Sequence, residues 1–239
     1  MTGSKLPVKA VALDLDGTLV DSAPDIAHAL NHALREARLL GGMDSFDVAA
    51  VRGWVGDGPD ALIARAIAFM RARGDVTAHA DPAALRRGFD AATLAAPLGL
   101  GTVYAGMEAA LRELAAWCPL VVVTNKPTAL ARAVIAAANL SPYLTAVYGA
   151  DRREDRKPGP ALLARAAHDL GRAPGELLMV GDSIADMGAA RAAGAHAAWV
   201  SWGYGHGEPP TDAYFIDAPD QLTAVVRRAM QARKSVNGQ

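Results

Sequence analysis

Short apolar runs alternate with amphipathic stretches along most of this chain. Val11, Ala12 and Leu13 form an unbroken apolar run without helical spacing, the pattern of a parallel strand buried on both faces. Comparable runs recur at Leu120–Val123, Leu144–Tyr148, Leu177–Val180, Ala197–Val200 and Tyr214–Ile216. Between them, helical spacing covers Met107–Trp117, Thr128–Asn139, Ala161–Leu170, a stretch that Gly194 ends, and finally Ala218–Arg233. Thr128 is a candidate cap. Such alternation predicts an α/β fold, a doubly wound Rossmann-like parallel sheet.

One block breaks the rhythm. From Pro24 to Ala96 there is no strand signal. Pro24–Leu40 is helical, with Ile26, Leu30 and Leu34 on its apolar face, Asp21 or Ser22 as cap, and Gly41-Gly42 as its end. Val48–Asp57 leads into a glycine-rich turn at Gly58-Pro59, and helices follow over Asp60–Arg73 and Asp81–Ala96. The pattern predicts an all-helical cap domain, residues 21–96, inserted into a discontinuous α/β core of residues 1–20 and 97–239. Pro97–Gly101 would be the return hinge, since glycine tolerates the dihedral changes a hinge needs. Lys234–Gln239 is expected to be a frayed tail.

Composition narrows the function classes. The 239 residues are 51% hydrophobic and 21% charged, with a net charge of −1, a globular composition with no bulk electrostatic attraction to nucleic acid or an anionic membrane. The lone Cys118 excludes an intramolecular disulfide and a cysteine metal cluster, and its neighbours suit a buried small hydrophobe. The N-terminus lacks an apolar h-region and no stretch is long enough to span a bilayer, so a cytoplasmic monomer or homodimer is expected. His28 and His32 are four apart, but no third ligand stands near them, which favours exposed helix residues over a metal site.

Polar residues cluster where the apolar runs stop. The first run ends in Asp14-Leu15-Asp16, and Gly17-Thr18 breaks it. Side chains two apart on a strand point the same way, which would put two carboxylates together at the sheet edge where α/β proteins bind ligands. Like charges so close need a cation or a shared proton; the competing reading is a polar loop opening on an Asp turn. The next run ends in Thr124-Asn125, where a hydroxyl and backbone N–H groups can hold phosphoryl oxygens, or merely cap a helix. Only five of 24 basic residues are lysines, and two of them, Lys126 and Lys157, fall in such stretches. Lys157 by itself reads as a solvated lysine. Gly181-Asp182-Ser183-Ile184-Ala185-Asp186 sets two carboxylates on one side of an opening helical turn, suited to a hard cation such as Mg²⁺, although Asp186 could instead only complement the helix dipole.

Taken together, D-L-D-G-T, T-N, K-P and G-D-S-x-x-D resemble, in order and strand context, the motifs of the haloacid-dehalogenase-like hydrolases. The resemblance implies Asp14 as nucleophile, Asp16 as general acid/base, Thr124 and Lys157 on the transferring phosphoryl group, and Mg²⁺ held by Asp14, the Asp16 carbonyl, Asp182 and, less directly, Asp186. Gly17, Thr18 and Asn125 would help bind substrate. Val51–Gly58, Val123–Pro127 and Trp202–Glu208 resemble one member group, the bacterial phosphoglycolate phosphatases, from about Val11 to Pro209. Two departures are Tyr104-Ala105-Gly106, where proline is usual in the middle, and Gly159 after Lys157-Pro158, where histidine is common. The implied activity is hydrolysis of a small phosphate ester, with 2-phosphoglycolate foremost. Arg52, just before the glycine-rich turn, is the expected reader of its carboxylate, against the reading of a surface or interdomain salt-bridge residue.

Alternatives are other phosphometabolite or sugar-phosphate phosphatases, a sugar-phosphate mutase, and a phospho-acceptor or binding module. A mutase would need a cap that holds a bisphosphate, and no second phosphate cluster is found in Pro24–Ala96, while a receiver module would not carry a helical insertion after its first strand.

Overall fold

A computed structural model describes residues 6–40, 45–73, 80–205 and 207–231. The expected helix stop at Gly41-Gly42 and the expected tail at Lys234–Gln239 lie outside the described residues. In chain order the elements are β1 (Ala10–Leu13), β2 (Val20–Asp21), α1 (Ala23–Glu36), α2 (Val48–Arg52), α3 (Pro59–Ala72) and α4 (Pro82–Ala95). Then follow β3 (Thr102–Val103), α5 (Met107–Ala115), β4 (Leu120–Thr124), α6 (Thr128–Ala137), β5 (Ala146–Gly149) and α7 (Ala161–Asp169). The chain closes with β6 (Leu177–Gly181), α8 (Ile184–Ala193), β7 (His196–Val200), β8 (Tyr214–Ile216) and α9 (Leu222–Gln231).

Six strands form one parallel sheet in the order β5-β4-β1-β6-β7-β8. Period-two alternation sorts its side chains into two cores. Val11, Leu13, Leu120, Val122, Leu178 and Val180 face α5, α6 and α9. Ala10, Ala12, Val121, Val123, Leu177 and Met179 face α7 and α8. Helices on both faces explain why the central strands read as unbroken apolar runs. The sheet grows from β1 toward β4 on one side and β6 on the other, so β1 lies at the switch of strand order, where a crevice opens beyond the carboxyl ends.

The helices between β2 and β3 have a core of their own. Ile26, Leu30 and Leu34 of α1 pack with Leu62, Ile63 and Met70 of α3 and with Leu85 and Phe89 of α4. Leu130 of α6 joins this cluster and fastens the helical layer to the sheet layer. α1 ends at Glu36, earlier than the periodicity predicts, and the stretch read as a turn contains the short helix α2. Thr128 is the first residue of α6 rather than its cap; its hydroxyl donates to Asp151 at 2.8 Å.

The way into and out of the helical layer is a two-stranded antiparallel ribbon, β2 with β3, too short to leave any period in the sequence. Asp25 of α1 locks the return segment. Its buried carboxylate accepts the N–H groups of Gly99, Leu100 and Gly101, each at 2.8 Å. A Cβ at Gly101 would collide with the Asp21 carbonyl and with Asp25 itself, so glycine is required for this close approach. Because water reaches part of this segment, Asp25→Ala is expected to lower unfolding free energy by about 1–3 kcal/mol, with Asp25→Asn retaining part of it. Urea midpoints measure this. A change under ~0.5 kcal/mol would show that the lock carries no weight.

Candidate active site

The ends of β1, β4 and β6 lie side by side, and each delivers its polar residues to one point. Asp14 follows β1, anchored by its backbone N–H to Val180 O at 2.9 Å. Lys157 arrives from the segment before α7 with its side chain 2% exposed. Its ammonium donates to Asp14 Oδ1 at 2.7 Å, Asp186 Oδ1 at 2.5 Å and Val123 O at 2.9 Å. An ammonium has three protons, and all three are engaged. The solvated lysine that its sequence surroundings suggest is instead among the most buried groups of the molecule.

Asp182 is held as firmly. Its Oδ2 accepts the N–H groups of Tyr204 at 2.6 Å and Gly205 at 3.0 Å, and its Oδ1 accepts the Thr18 hydroxyl at 3.2 Å. Gly17, at φ +85°, lies so close that a Cβ would strike Asp182 Oδ2. Asp186 serves two purposes: its Oδ2 accepts the Ser183 N–H and hydroxyl in a capping box at the start of α8, while its Oδ1 meets Lys157.

Oxygens of Asp14, Asp182 and Asp186 fall within 4.8 Å of one another, all buried. Burial pushes the Asp14 carboxyl up to about 7, with Lys157 pulling it down and Asp186 and Asp182 adding to the rise. Burial, then Asp186, pushes Asp182 up to about 6 against the N–H groups that solvate it. Lys157 stays above its ordinary range, because Asp14 and Asp186 outweigh the loss of water that would lower it. Three carboxylates against one ammonium leave the cluster short of two positive charges. An all-oxygen donor set with that deficit fits a hard divalent cation, which Asp14, Asp182 and Asp186 could hold.

Asp16 sits at the mouth. Its carboxylate accepts the Ser22 hydroxyl at 2.5 Å and Lys126 Nζ at 2.7 Å on each oxygen. Thr124 Oγ1 accepts the Lys126 N–H at 3.2 Å and retains its own proton to donate. Asp14, Asp16, Thr124, Asn125 and Lys126 form one side of a cavity of about 40 Å³. Ile26, Val55, Pro59, Leu62 and Phe89 of the helical layer, with Leu130, form the other. That layer is fastened over the site: Asn125 Nδ2 donates to Gly56 O at 2.8 Å, and Arg156 pairs with Asp60.

Of the four expected substrate contacts, Gly17, Thr18 and Arg52 do not line the cavity, and Asn125 does. The N–H groups of Gly17 and Thr18 are spent inside the turn, on Val20 O and Leu15 O, and the Thr18 hydroxyl serves Asp182; neither residue lines the cavity. Asn125 lines it, but its amide is committed to Gly56 and to both backbone groups of Lys157. Arg52 is not brought to the cavity. It donates to Asp21 Oδ2 at 3.0 Å and stacks over the Tyr204 ring, at 46% side-chain exposure. Sequence reasoning missed Tyr204, whose N–H holds Asp182 while its hydroxyl donates to Asp21 at 2.6 Å; no spacing signals that double role. His28 and His32 are exposed on α1.

Residues 8–194 match the family described as haloacid dehalogenase-like hydrolase. The chain belongs to this family. The enzyme is 35% identical over 202 residues to the phosphoglycolate phosphatase of Photorhabdus laumondii, covering 84% of this chain and 83% of that one. With the phosphoglycolate phosphatase of Rhodospirillum rubrum it is 41% identical over 199 residues, covering 82% and 80%. Among solved structures, a protein from Haemophilus somnus described as a predicted phosphoglycolate phosphatase superposes with a TM-score of 0.82 at 27% identity, covering 91% and 97%. Among the described residues no helix is long and apolar enough to cross a membrane.

A carboxyl whose pKa is raised on folding binds its proton more tightly in the folded state. The apo enzyme therefore loses stability from this group as pH climbs from the ordinary 3.8 toward about 7. A divalent cation is expected to raise the melting temperature more at pH 7.5 than at pH 5, where protons already relieve the cluster. Thermal scans with cation or chelator measure the difference. A gain independent of pH would contradict the charge-deficit reading.

Proposed function

We propose that this enzyme is a Mg²⁺-dependent phosphomonoesterase that hydrolyses a small phosphate ester, 2-phosphoglycolate before others, through a phosphoryl group carried on Asp14. The observation that carries the reading is the setting of Asp14. One oxygen is held by Lys157, two further buried carboxylates stand beside it, and the carboxylate faces a small covered cavity. The names of the relatives supply the class of substrate.

An anionic nucleophile and an anionic phosphate repel each other, so the site must offset charge before bonding can begin. A Mg²⁺ held by Asp14, Asp182 and Asp186 would offset charge there and polarise the phosphoryl oxygens. Lys157 holds Asp14 in place and neutralises part of its charge. Asp14 attacks phosphorus and the P–O bond to the alcohol breaks, while Asp16 gives its proton to the departing alkoxide. The Thr124 hydroxyl donates to a phosphoryl oxygen. Water then attacks the aspartyl-phosphate, Asp16 takes its proton, and the P–O bond to Asp14 breaks to release phosphate. What supports this role is that Asp16 lines the cavity with Asp14 and is held by Ser22 and Lys126. The helical layer excludes other water while the acyl phosphate exists.

A bisphosphate-handling mutase fits less well, because the wall contributed by the helical layer is apolar side chains and glycine backbone. Asp14→Asn is expected to abolish turnover with the fold intact. Asp182→Ala should weaken Mg²⁺ and cost several orders of magnitude in kcat. Activity toward 2-phosphoglycolate and a panel of phosphomonoesters, with and without chelator, tests the reading. Substantial hydrolysis by a folded Asp14→Asn protein would overturn the mechanism, and a higher kcat/KM for another ester would overturn the substrate.

A further inference from the structure

We propose that Lys126 is the residue that recognises the carboxylate end of the substrate; this rests on the phosphoglycolate reading above. 2-Phosphoglycolate is an anion at both ends, and the end away from phosphorus must enter the cavity. A carboxylate buried there without a partner would be costly. The side chains of the helical layer that line this cavity offer none: Ile26, Val55, Pro59, Leu62 and Phe89 are apolar. The opposite side supplies two carboxylates, a hydroxyl, a committed amide and one cation. Among the described residues that cation is Lys126.

The other basic side chains near the site are engaged elsewhere. Lys157 spends all three protons behind Asp14. Arg52 is paired with Asp21 outside the cavity, Arg65 with Asp57 and the Trp54 carbonyl, and Arg156 with Asp60 at the contact between layers. Lys126 differs from all of them. It is 7% exposed, its ammonium spans the two oxygens of Asp16, and those two bonds account for two of its three protons. The third is available to a ligand in the space that Lys126 borders. Its position is also firm: Lys126 N–H is held by Thr124 Oγ1, the residue expected to bind the phosphoryl group. Reading and reaction therefore lie on one turn, two residues apart.

Lys126 also touches Asp16, so its loss will slow every substrate to some extent. The discriminating quantity is the ratio of kcat/KM for 2-phosphoglycolate to that for 2-hydroxyethyl phosphate. The latter has a similar size and an alkoxide leaving group but no carboxylate. The wild type is expected to favour 2-phosphoglycolate, Lys126→Met to lower that ratio by about 10- to 100-fold, and Lys126→Arg to retain much of it. Arg52→Ala is expected to keep the wild-type ratio. Lys126→Gln, which preserves a donor to Asp16, carries the test where the Met variant fails to fold. An unchanged ratio in the folded Met or Gln variant would overturn the proposal while leaving the substrate reading standing. A wild type with no preference between the two esters would overturn the substrate reading, and Lys126 recognition with it.

Discussion

The ammonium of Lys157 is the contact on which the rest of the site depends. It joins the end of β1 through Asp14, the end of β4 through Val123 O, and the first turn of α8 through Asp186. Removing it would leave three carboxylates facing one another in a dry interior. Breaking a buried ionic arrangement from one side typically costs about 3–5 kcal/mol. The cluster is nevertheless incomplete as protein alone, since burial raises Asp14 and Asp182 well above the ordinary carboxylate range. On the proposed mechanism, that unrelieved charge would suit the site to a cation and a phosphoryl group.

A second constraint is the closeness of the helical layer. Its glycine-rich turn is tied to Asn125, Asp60 reaches Arg156, and Leu130 of the sheet layer lies in its core. At the entry, Tyr204 links Asp182 to Asp21, and Asp21 holds Arg52. One run of contacts thus joins the carboxylate cluster, the ribbon and α2. The cavity left between the layers is small, about 40 Å³.

Much of this was legible in the sequence, for physical reasons. Strands buried on both faces leave unbroken apolar runs, and polar residues after each run sit at the functional edge of a parallel sheet. The approach of Asp14, Thr124 and Asp182 follows once strand order is known, whereas Lys157, on the segment before α7, reads as solvated by itself and is assigned to the site only by the motif resemblance. What was not legible depends on long-range packing. Gly17 and Thr18 were expected by resemblance to help bind substrate, but pairing with Val20 and Leu15 uses up their N–H groups. Arg52 looked like the carboxylate reader, yet whether a guanidinium on α2 faces the cavity or Asp21 is set by how the layers meet. Lys126 stood out as a rare lysine; its direction toward Asp16 could not be read from spacing. Asp25, bonded to a segment more than 70 residues away, left no local signal.

The claim that Asp14 carries the phosphoryl group is tested most directly by stereochemistry at phosphorus. A phosphate ester made chiral with oxygen isotopes, hydrolysed in isotopically labelled water, reports how many displacements occur. Two successive in-line displacements, one by Asp14 and one by water, predict overall retention of configuration. Inversion would mean that water attacks the substrate directly, and would contradict the account.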